Sequence, residues 1–403
     1  MYDSSFTPVL RFMVCSDVHY KDEHTVVRDR MRHAIEKSYE LSEKDSYKKL
    51  DALYVVGDFA NSGSPEQMKA FKKTLDDYLK PETYANVSLA SHEFGYDTPE
   101  GAKQRLREIF SLEPNTHKVI NGFHFISVGC SKKCDFDEPE KEFAANALKE
   151  AVKDSHTKPI FFFQHPHISD TVYGSINWGE DDLNAILCNY PQIIDFSGHS
   201  HAPINDPRSI HQRHFTCLGT GTLFFFENDE FDKYYGTIPP RNDIAAQMLI
   251  VEADAQGRVR IYPYDLITDN FFPFVWKIDE PWNPDSFLYT DERYKTDIAP
   301  YFTDDEKLDV TDIKEDGFTV TFDQAKIDKE YVNDYNVYVM REEDNTVAAQ
   351  KNLWSEYYFY NMPERLSVSF DGLEKGEYRV KIYAGSFWKT RSKNPLVSGK
   401  IIL

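Results

Sequence analysis

Long apolar runs are missing from this chain: none approaches the ~18 residues that a bilayer-spanning helix needs, so no membrane span is expected. Cysteine is scarce. Cys15, Cys130, Cys134, Cys188 and Cys217 are odd in number and scattered over 403 residues, which excludes a disulfide scaffold and fits free thiols in a reducing compartment. Cys130 and Cys134 lack the second pair that would complete a zinc tetrad. Positive charge is also short. A formal net charge of -21 disfavours attraction to polymeric nucleic acid or an anionic membrane, so neither is expected as a partner. The first five residues show no basic region leading into an apolar stretch; no secretory leader is seen and a cytoplasmic location is expected. Internal repeats, low-complexity tracts and long blocks of like charge are absent as well.

What is present is enough apolar material, 41% hydrophobic with 15% aromatic, for more than one core. Over the first ~270 residues short apolar runs alternate with helix-like stretches, as in layered α/β proteins. Strands are expected at Leu10–Cys15, Ala52–Val56, Val87–Ala90, Phe123–Val128, Ile160–Gln164, Ile193–Phe196 and Phe215–Gly219, followed by a hairpin-like pair, Met248–Ala253 and Val259–Tyr264. Helices are expected at Val26–Leu50, Pro65–Leu79, Gly101–Phe110 and Glu140–Asp154. The runs Phe161–Phe163 and Phe224–Phe226 read as strand-like core. Residues 270–304 change to a mixture of Pro, Trp, Tyr and Asp and read as an ordered, aromatic linker. Beyond it, short alternating segments at Phe318–Phe322, Tyr335–Met340, Leu366–Phe370, Tyr378–Tyr383 and Val397–Ile402 predict an antiparallel β-sandwich. The domain plan is therefore 1–269, linker 270–304 and 305–403.

Chemistry-bearing residues cluster just after the expected strands: Asp17 and His19 after the first, Gly57-Asp58 after the second, Gln164-His165-Pro166-His167 and Gly198-His199-Ser200-His201 after later ones. Open α/β sheets bind ligands at the carboxyl ends of their strands, so these four segments can meet in one place. Carboxylate oxygens and neutral imidazoles suit Mn, Zn, Fe or Co better than Ca. Two such ions a few ångströms apart are what phosphoester hydrolysis requires.

The series Asp17-x-His19, Gly57-Asp58, His92, His165 and Gly198-His199-x-His201, with the run Gly57–Gly63, resembles the calcineurin-like metallophosphoesterases in order and spacing. The resemblance implies a metallophosphoesterase-type layered β-sandwich flanked by helices, holding two divalent ions. It assigns Asp17, His19 and His201 to one metal, Asp58 to the bridge, and His165 and His199 to the other, with a hydroxide shared by the ions attacking phosphorus. His92 would stabilise the charged transition state or protonate the leaving oxygen, and Glu93 would orient His92. Where the family has an asparagine ligand, this chain has Ser91, a shorter and poorer one. His165 is favoured over His167 as ligand, leaving His167 to touch substrate; Asn61, Tyr173 and Trp178 are further substrate-contact candidates, and His24 could line the mouth. The stretch Leu373–Val380 resembles the tyrosine-corner region of fibronectin type III domains, although the tryptophan usual in an early strand is missing.

The function expected is metal-dependent hydrolysis of a small soluble phosphate monoester or diester, such as a nucleotide derivative. The alternative is a binding protein with a metal site weakened at Ser91 and a recognition role for the C-terminal sandwich. A phosphoprotein phosphatase fits less well, because no basic cluster is present to hold a phosphopeptide.

Overall fold

A computed structural model describes residues 5–21, 25–229, 231 and 238–403. The chain divides into two compact units, Met1–Thr290 and Asp291–Leu403, so the division falls inside the segment 270–304.

The first half of unit one runs β1 (Pro8–Cys15), α1 (Thr25–Lys44), β2 (Ala52–Val55), α2 (Pro65–Tyr78), β3 (Tyr84–Val87), α3 (Pro99–Phe110), β4 (Asn115–Ile120), β5 (Phe123–Val128) and α4 (Glu138–Asp154). Then come β6 (Ile160–Phe163), β7 (His167–Ile168), β8 (Gly179–Glu180), β9 (Ile193–Ser197), β10 (Ile210–Gln212), β11 (Thr216–Gly219), β12 (Gln247–Asp254), β13 (Val259–Asp265), β14 (Asn270–Phe271) and β15 (Trp276–Ile278).

Two mixed sheets result. One has the order β14-β13-β12-β1-β2-β3 with β15 also on β13; the other has the order β10-β11-β9-β6-β5-β4. Their facing sides share an aromatic layer: Phe12 meets Phe161 at 4.7 Å and Tyr54 stacks on Phe163 at 3.9 Å between ring centroids. That layer is why Phe161 and Phe163 are core. Helices α1, α2 and α3 cover the outer face of the first sheet through Met31, Ile35, Met68, Phe71 and Leu106, and α4 covers the second through Ala144, Ala147 and Leu148. The metallophosphoesterase-type α/β layering expected from the sequence is what the chain adopts. Among the described residues no helix is long and apolar enough to cross a membrane.

Local chemistry explains several boundaries. Ser64 and Thr98 accept from the amides of Gln67 and Gly101, capping α2 and α3, with Pro65 and Pro99 in the first turn. Helix α1 stops at Lys44 rather than Leu50, because the buried Arg11 guanidinium takes the Tyr47 carbonyl and the Asp45 carboxylate. Strand β3 spans Tyr84–Val87 rather than Val87–Ala90, since Ala90 N donates to Glu93 Oε2 instead of to a ladder. The run Phe224–Phe226 lies outside any strand. Strands β14 and β15 pair with β13, so part of the aromatic stretch after residue 269 belongs to the first sheet.

Unit two adds β16 (Leu308–Thr311), β17 (Phe318–Asp323), β18 (Asp334–Arg341), β19 (Val347–Trp354), β20 (Arg365–Phe370), β21 (Glu377–Gly385), β22 (Leu396–Val397) and β23 (Ile401–Ile402). A three-stranded sheet, β16-β17-β20, and a five-stranded one, β19-β18-β21-β22 with β23 on β21, enclose a core that includes Phe322, Tyr335, Val337, Val380 and Ile382. Tyr378 is buried and its hydroxyl donates to the Glu374 carbonyl at 2.6 Å.

Candidate metal centre

Sequence order places the chemistry at strand ends, and topology brings those ends together. β1, β2 and β3 are parallel neighbours in one sheet, and β6, β9 and β11 in the other. The loop after β1 is stitched to the loop after β2: Val18 N and His19 N both donate to the Asp58 carbonyl, at 3.0 and 2.9 Å. Gly198 N donates to the His165 carbonyl at 2.9 Å, which joins the loops after β6 and β9 in the same way. Gly57, with φ +83°, admits no side chain, because a Cβ there would meet the His165 ring and, at 2.6 Å, Ala90 Cβ.

Three groups of side chains each converge closely enough to hold a cation: Asp17, His19 and His201; His19, Asp58 and His92; and Asp58, His165 and His199. Asp17 is fully buried. Its Oδ2 accepts from the Ser16 hydroxyl and from His199 N at 3.1 Å, while Oδ1 has no hydrogen-bond partner. That orphaned oxygen lies 3.4 Å from His201 Nε2, 3.9 Å from His19 Nε2 and 4.0 Å from His165 Nε2. Asp58 Oδ2 lies 3.0 Å from His165 Nε2 and 4.0 Å from His92 Nε2.

The tautomers follow from the outer partners. His201 Nδ1 donates to the Phe225 carbonyl at 2.9 Å, His165 Nδ1 to the Val56 carbonyl at 2.7 Å, and His92 Nδ1 to the Asn61 carbonyl at 2.7 Å. A carbonyl only accepts, so each Nδ1 carries a hydrogen and each ring turns Nε2 inward, where it can meet a proton or a cation. His201 Nε2 accordingly faces His19 Nε2 at 3.0 Å, and His165 Nε2 is buried without a hydrogen-bond partner. His199 Nε2 faces Cys134 Sγ at 3.4 Å. Buried lone pairs pointing at a buried carboxylate are costly unless a cation joins them, and this donor set of oxygen and imidazole nitrogen fits a divalent metal.

At His19 and His199 electrostatics agree with that fit. Burial, then the neighbouring His201, pushes His19 well below the ordinary imidazole value; burial and His165 bring His199 down to about 3. Both are neutral near pH 7, as ligands must be. Burial would also lower His165, but the Asp58 and Asp17 carboxylates outweigh it and hold the ring at about 9, so near pH 7 its Nε2 carries a proton toward Asp58 that a bound metal would replace.

Residues 10–203 match the sequence model of the family described as Calcineurin-like phosphoesterase. The match covers 194 of the 403 residues. No curated protein matches the chain. Among solved structures, the chain is similar to a purple acid phosphatase from yellow lupin (Lupinus luteus) seeds, with 11% identity over 67% of this chain and 53% of that one and a TM-score of 0.46. It thus spans about half the length of that phosphatase. It is also similar to the FN1–FN3 domains of chicken CNTN1, with 12% identity over 42% of this chain and 46% of that one and a TM-score of 0.20.

Within unit one, Asp17, His19, Asp58, His165, His199 and His201 face one another at the strand ends. Ser91 sets its hydroxyl on the Asp58 carboxylate, 3.1 and 3.0 Å from the two oxygens. His92 is half-buried beside it, its ring 4.4 Å from that of His19. Trp178 is half-buried and edge-on to His199 at 4.9 Å, and its indole N–H is buried without a partner.

Three expectations are corrected. Glu93 does not touch His92: its buried carboxylate accepts from the amides of Asp58, Ala60 and Ala90 at 3.1, 2.8 and 3.0 Å, so it positions two loops. His167 is buried with Nδ1 on Ser197 Oγ and Nε2 on Ser200 Oγ, both at 2.7 Å, leaving no nitrogen for substrate. Tyr173 is 8% exposed, its hydroxyl accepts from Asp229 N and its ring lies under the Arg208 guanidinium at 3.9 Å, so it serves packing. Asn61 acts on the site through its backbone carbonyl, which holds His92. His24 lies outside the described residues. Cys134, Phe224 and Phe225 line the site without a motif to announce them; the apolar run 224–226 read as core, and only its last residue is fully buried.

Proposed function

We propose that this chain hydrolyses a small soluble phosphate ester with two divalent metal ions. The observation that carries the proposal is the convergence of buried ligand atoms, with Asp17 Oδ1 lacking any hydrogen-bond partner and His165 Nε2 and His201 Nε2 both turned toward the carboxylates of Asp17 and Asp58. Asp17, His19 and His201 would hold one ion, His165 and His199 the other, with Asp58 between them. Two bound cations would polarise the phosphoryl oxygens and make a potent nucleophile of water near neutral pH. The chain's own part is to keep the imidazoles in the Nδ1–H form, to hold Asp58 through Ser91, His92 N and the Glu93 scaffold, and to exclude bulk water from fully buried carboxylates. His92, half-exposed at the rim, is the group placed to pass a proton to the departing ester oxygen. A nucleotide-sized monoester or diester in the cytoplasm is the substrate we favour; the acidic surface argues against polymeric nucleic acid or a membrane as partner. Unit two is proposed to be fibronectin type III-like, supported by the buried Tyr378 and its bond to the Glu374 carbonyl.

The deciding experiment strips the protein of metal, resupplies Mn, Zn or Mg, and measures hydrolysis of an aryl phosphate monoester and diester, alongside Asp58→Asn. Metal-dependent turnover that falls by about 10³-fold or more in the variant is expected. Ser91 supports a second reading, a binding protein with a weakened site, and folded, metal-loaded protein without turnover on either ester would favour it.

A further inference from the structure

The segment 222–225 is fastened beside the Asp17, His19 and His201 group more firmly than holding one ligand needs. Thr222 Oγ1 donates to the Asp17 carbonyl at 3.1 Å and accepts from Phe224 N at 2.9 Å. The Arg30 guanidinium donates to the carbonyls of Leu223 and Phe224 at 2.9 and 2.7 Å, and the Phe225 carbonyl takes the His201 Nδ1 hydrogen. Leu223 and Phe226 are buried, whereas Phe224 and Phe225 between them are only half-buried. Their rings lie on the flanks of the imidazoles, Phe224 5.4 Å from His19 and Phe225 4.4 Å from His201, and meet each other edge to face at 4.9 Å. Hiding a phenylalanine fully is favourable, so two of them left part-open on a polar site, on a backbone this closely hydrogen-bonded, ask for an occupant. The Lys21 ammonium lies 5.2 Å from the Phe224 ring, a cation beside the site in a chain of net charge -21.

We propose that Phe224 and Phe225 form a platform for an aromatic ring carried by the substrate, with Lys21 beside it attracting the phosphate, so that the substrate class is an ester joining phosphate to an aromatic ring-bearing group. This rests on the phosphoesterase reading above. A phosphate gathered by the ions that these imidazoles would hold places a group bonded through one oxygen against those two rings, where stacking is favourable and tolerant of ring identity.

The test is titration calorimetry of the full chain loaded with Mn, using phenylphosphonate and methylphosphonate, whose carbon–phosphorus bond is not hydrolysed. Phenylphosphonate is expected to bind about tenfold tighter than methylphosphonate, a ratio that Phe224→Ala with Phe225→Ala together bring close to one. Phe224→Trp keeps the ratio. Should the alanine pair melt or lose Mn, Phe224→Leu with Phe225→Leu retains apolar bulk without a flat face and is read in the same way. No phenyl preference in the parent protein, or the same preference in the paired variants, overturns the platform. Turnover of a small alkyl phosphate by a protein without phenyl preference would sink the platform and leave the hydrolase; phenyl preference without turnover of any ester would sink the hydrolase and leave the platform.

Discussion

Five of the residues at the metal centre have left-handed backbone: Asp17 at φ +52°, His19 at +49°, Asp58 at +49°, His199 at +71° and His201 at +53°. Each costs about 1 kcal/mol for a residue with a side chain. Asp and His tolerate this region better than most residues, and strain gathered at one place is held there by the loops stitched around it. A different residue-scale cost sits in the second sheet. Asp195 is fully buried; Gln164 Nε2 donates to its Oδ2 at 3.0 Å, and Oδ1 has no partner. Burial pushes its carboxyl up to about 8, above the ~3.9 of an unfolded chain, and the Gln164 bond does not offset that. The folded state therefore holds a proton that the unfolded chain releases between about pH 4 and 8, so this group's penalty is absent below pH 4 and grows as pH rises. Asp195→Asn is neutral throughout. It is expected to raise stability by about 1–2 kcal/mol at pH 8 and by little at pH 4; urea midpoints at the two pH values check this, and an equal effect at both would contradict it.

At the scale of elements, Glu93 is the tie between the ends of β2 and β3. One carboxylate satisfies three amides, and Gly63 is pressed so close to the Glu93 carbonyl that no side chain fits. Glu93→Gln puts an amide NH₂ where at least one backbone N–H already points. A loss of about 2 kcal/mol or more in stability is expected, together with weaker metal binding, because Asp58 and His92 hang from the displaced loops. Thermal melts and Mn titration of the variant test this. An unchanged melting temperature would mean that the three amides find other acceptors.

For the whole molecule, two units with separate cores make a single unfolding free energy ill-defined. Metal acts on only one of them. If the proposed centre binds Mn, Mn at about 100 times its dissociation constant stabilises folded unit one by about 2.7 kcal/mol, which for a unit of this size is a rise of about 5–10 °C. Calorimetry with and without Mn is expected to move the transition of residues 1–290 and leave that of 291–403 in place; a single transition moving as a block would show that the units unfold together.

Most strands and helices were legible because they depend on neighbours in sequence: β5 spans Phe123–Val128 as its apolar run implies, and Ser64-Pro65 and Thr98-Pro99 start helices by local capping. The exposed edge strand β4, with polar and apolar residues mixed, carried no such signal. The order of Asp and His residues after strands also named the side chains that now face one another, since a ligand at a strand end needs only its own strand to be placed. Roles set by distant partners were not legible. Whether His165 or His167 turns inward depends on the Val56 carbonyl and on Ser197 and Ser200, and Glu93 is claimed by two amides of the loop after β2. Phe224 and Phe225 read as core because an apolar run in sequence says nothing of which rings the fold covers. Sequence alone determined the kind of residues gathered after the strands; the packing of two sheets decided which ring nitrogens turn inward, because tautomer and burial are settled by groups 24 to 109 residues away.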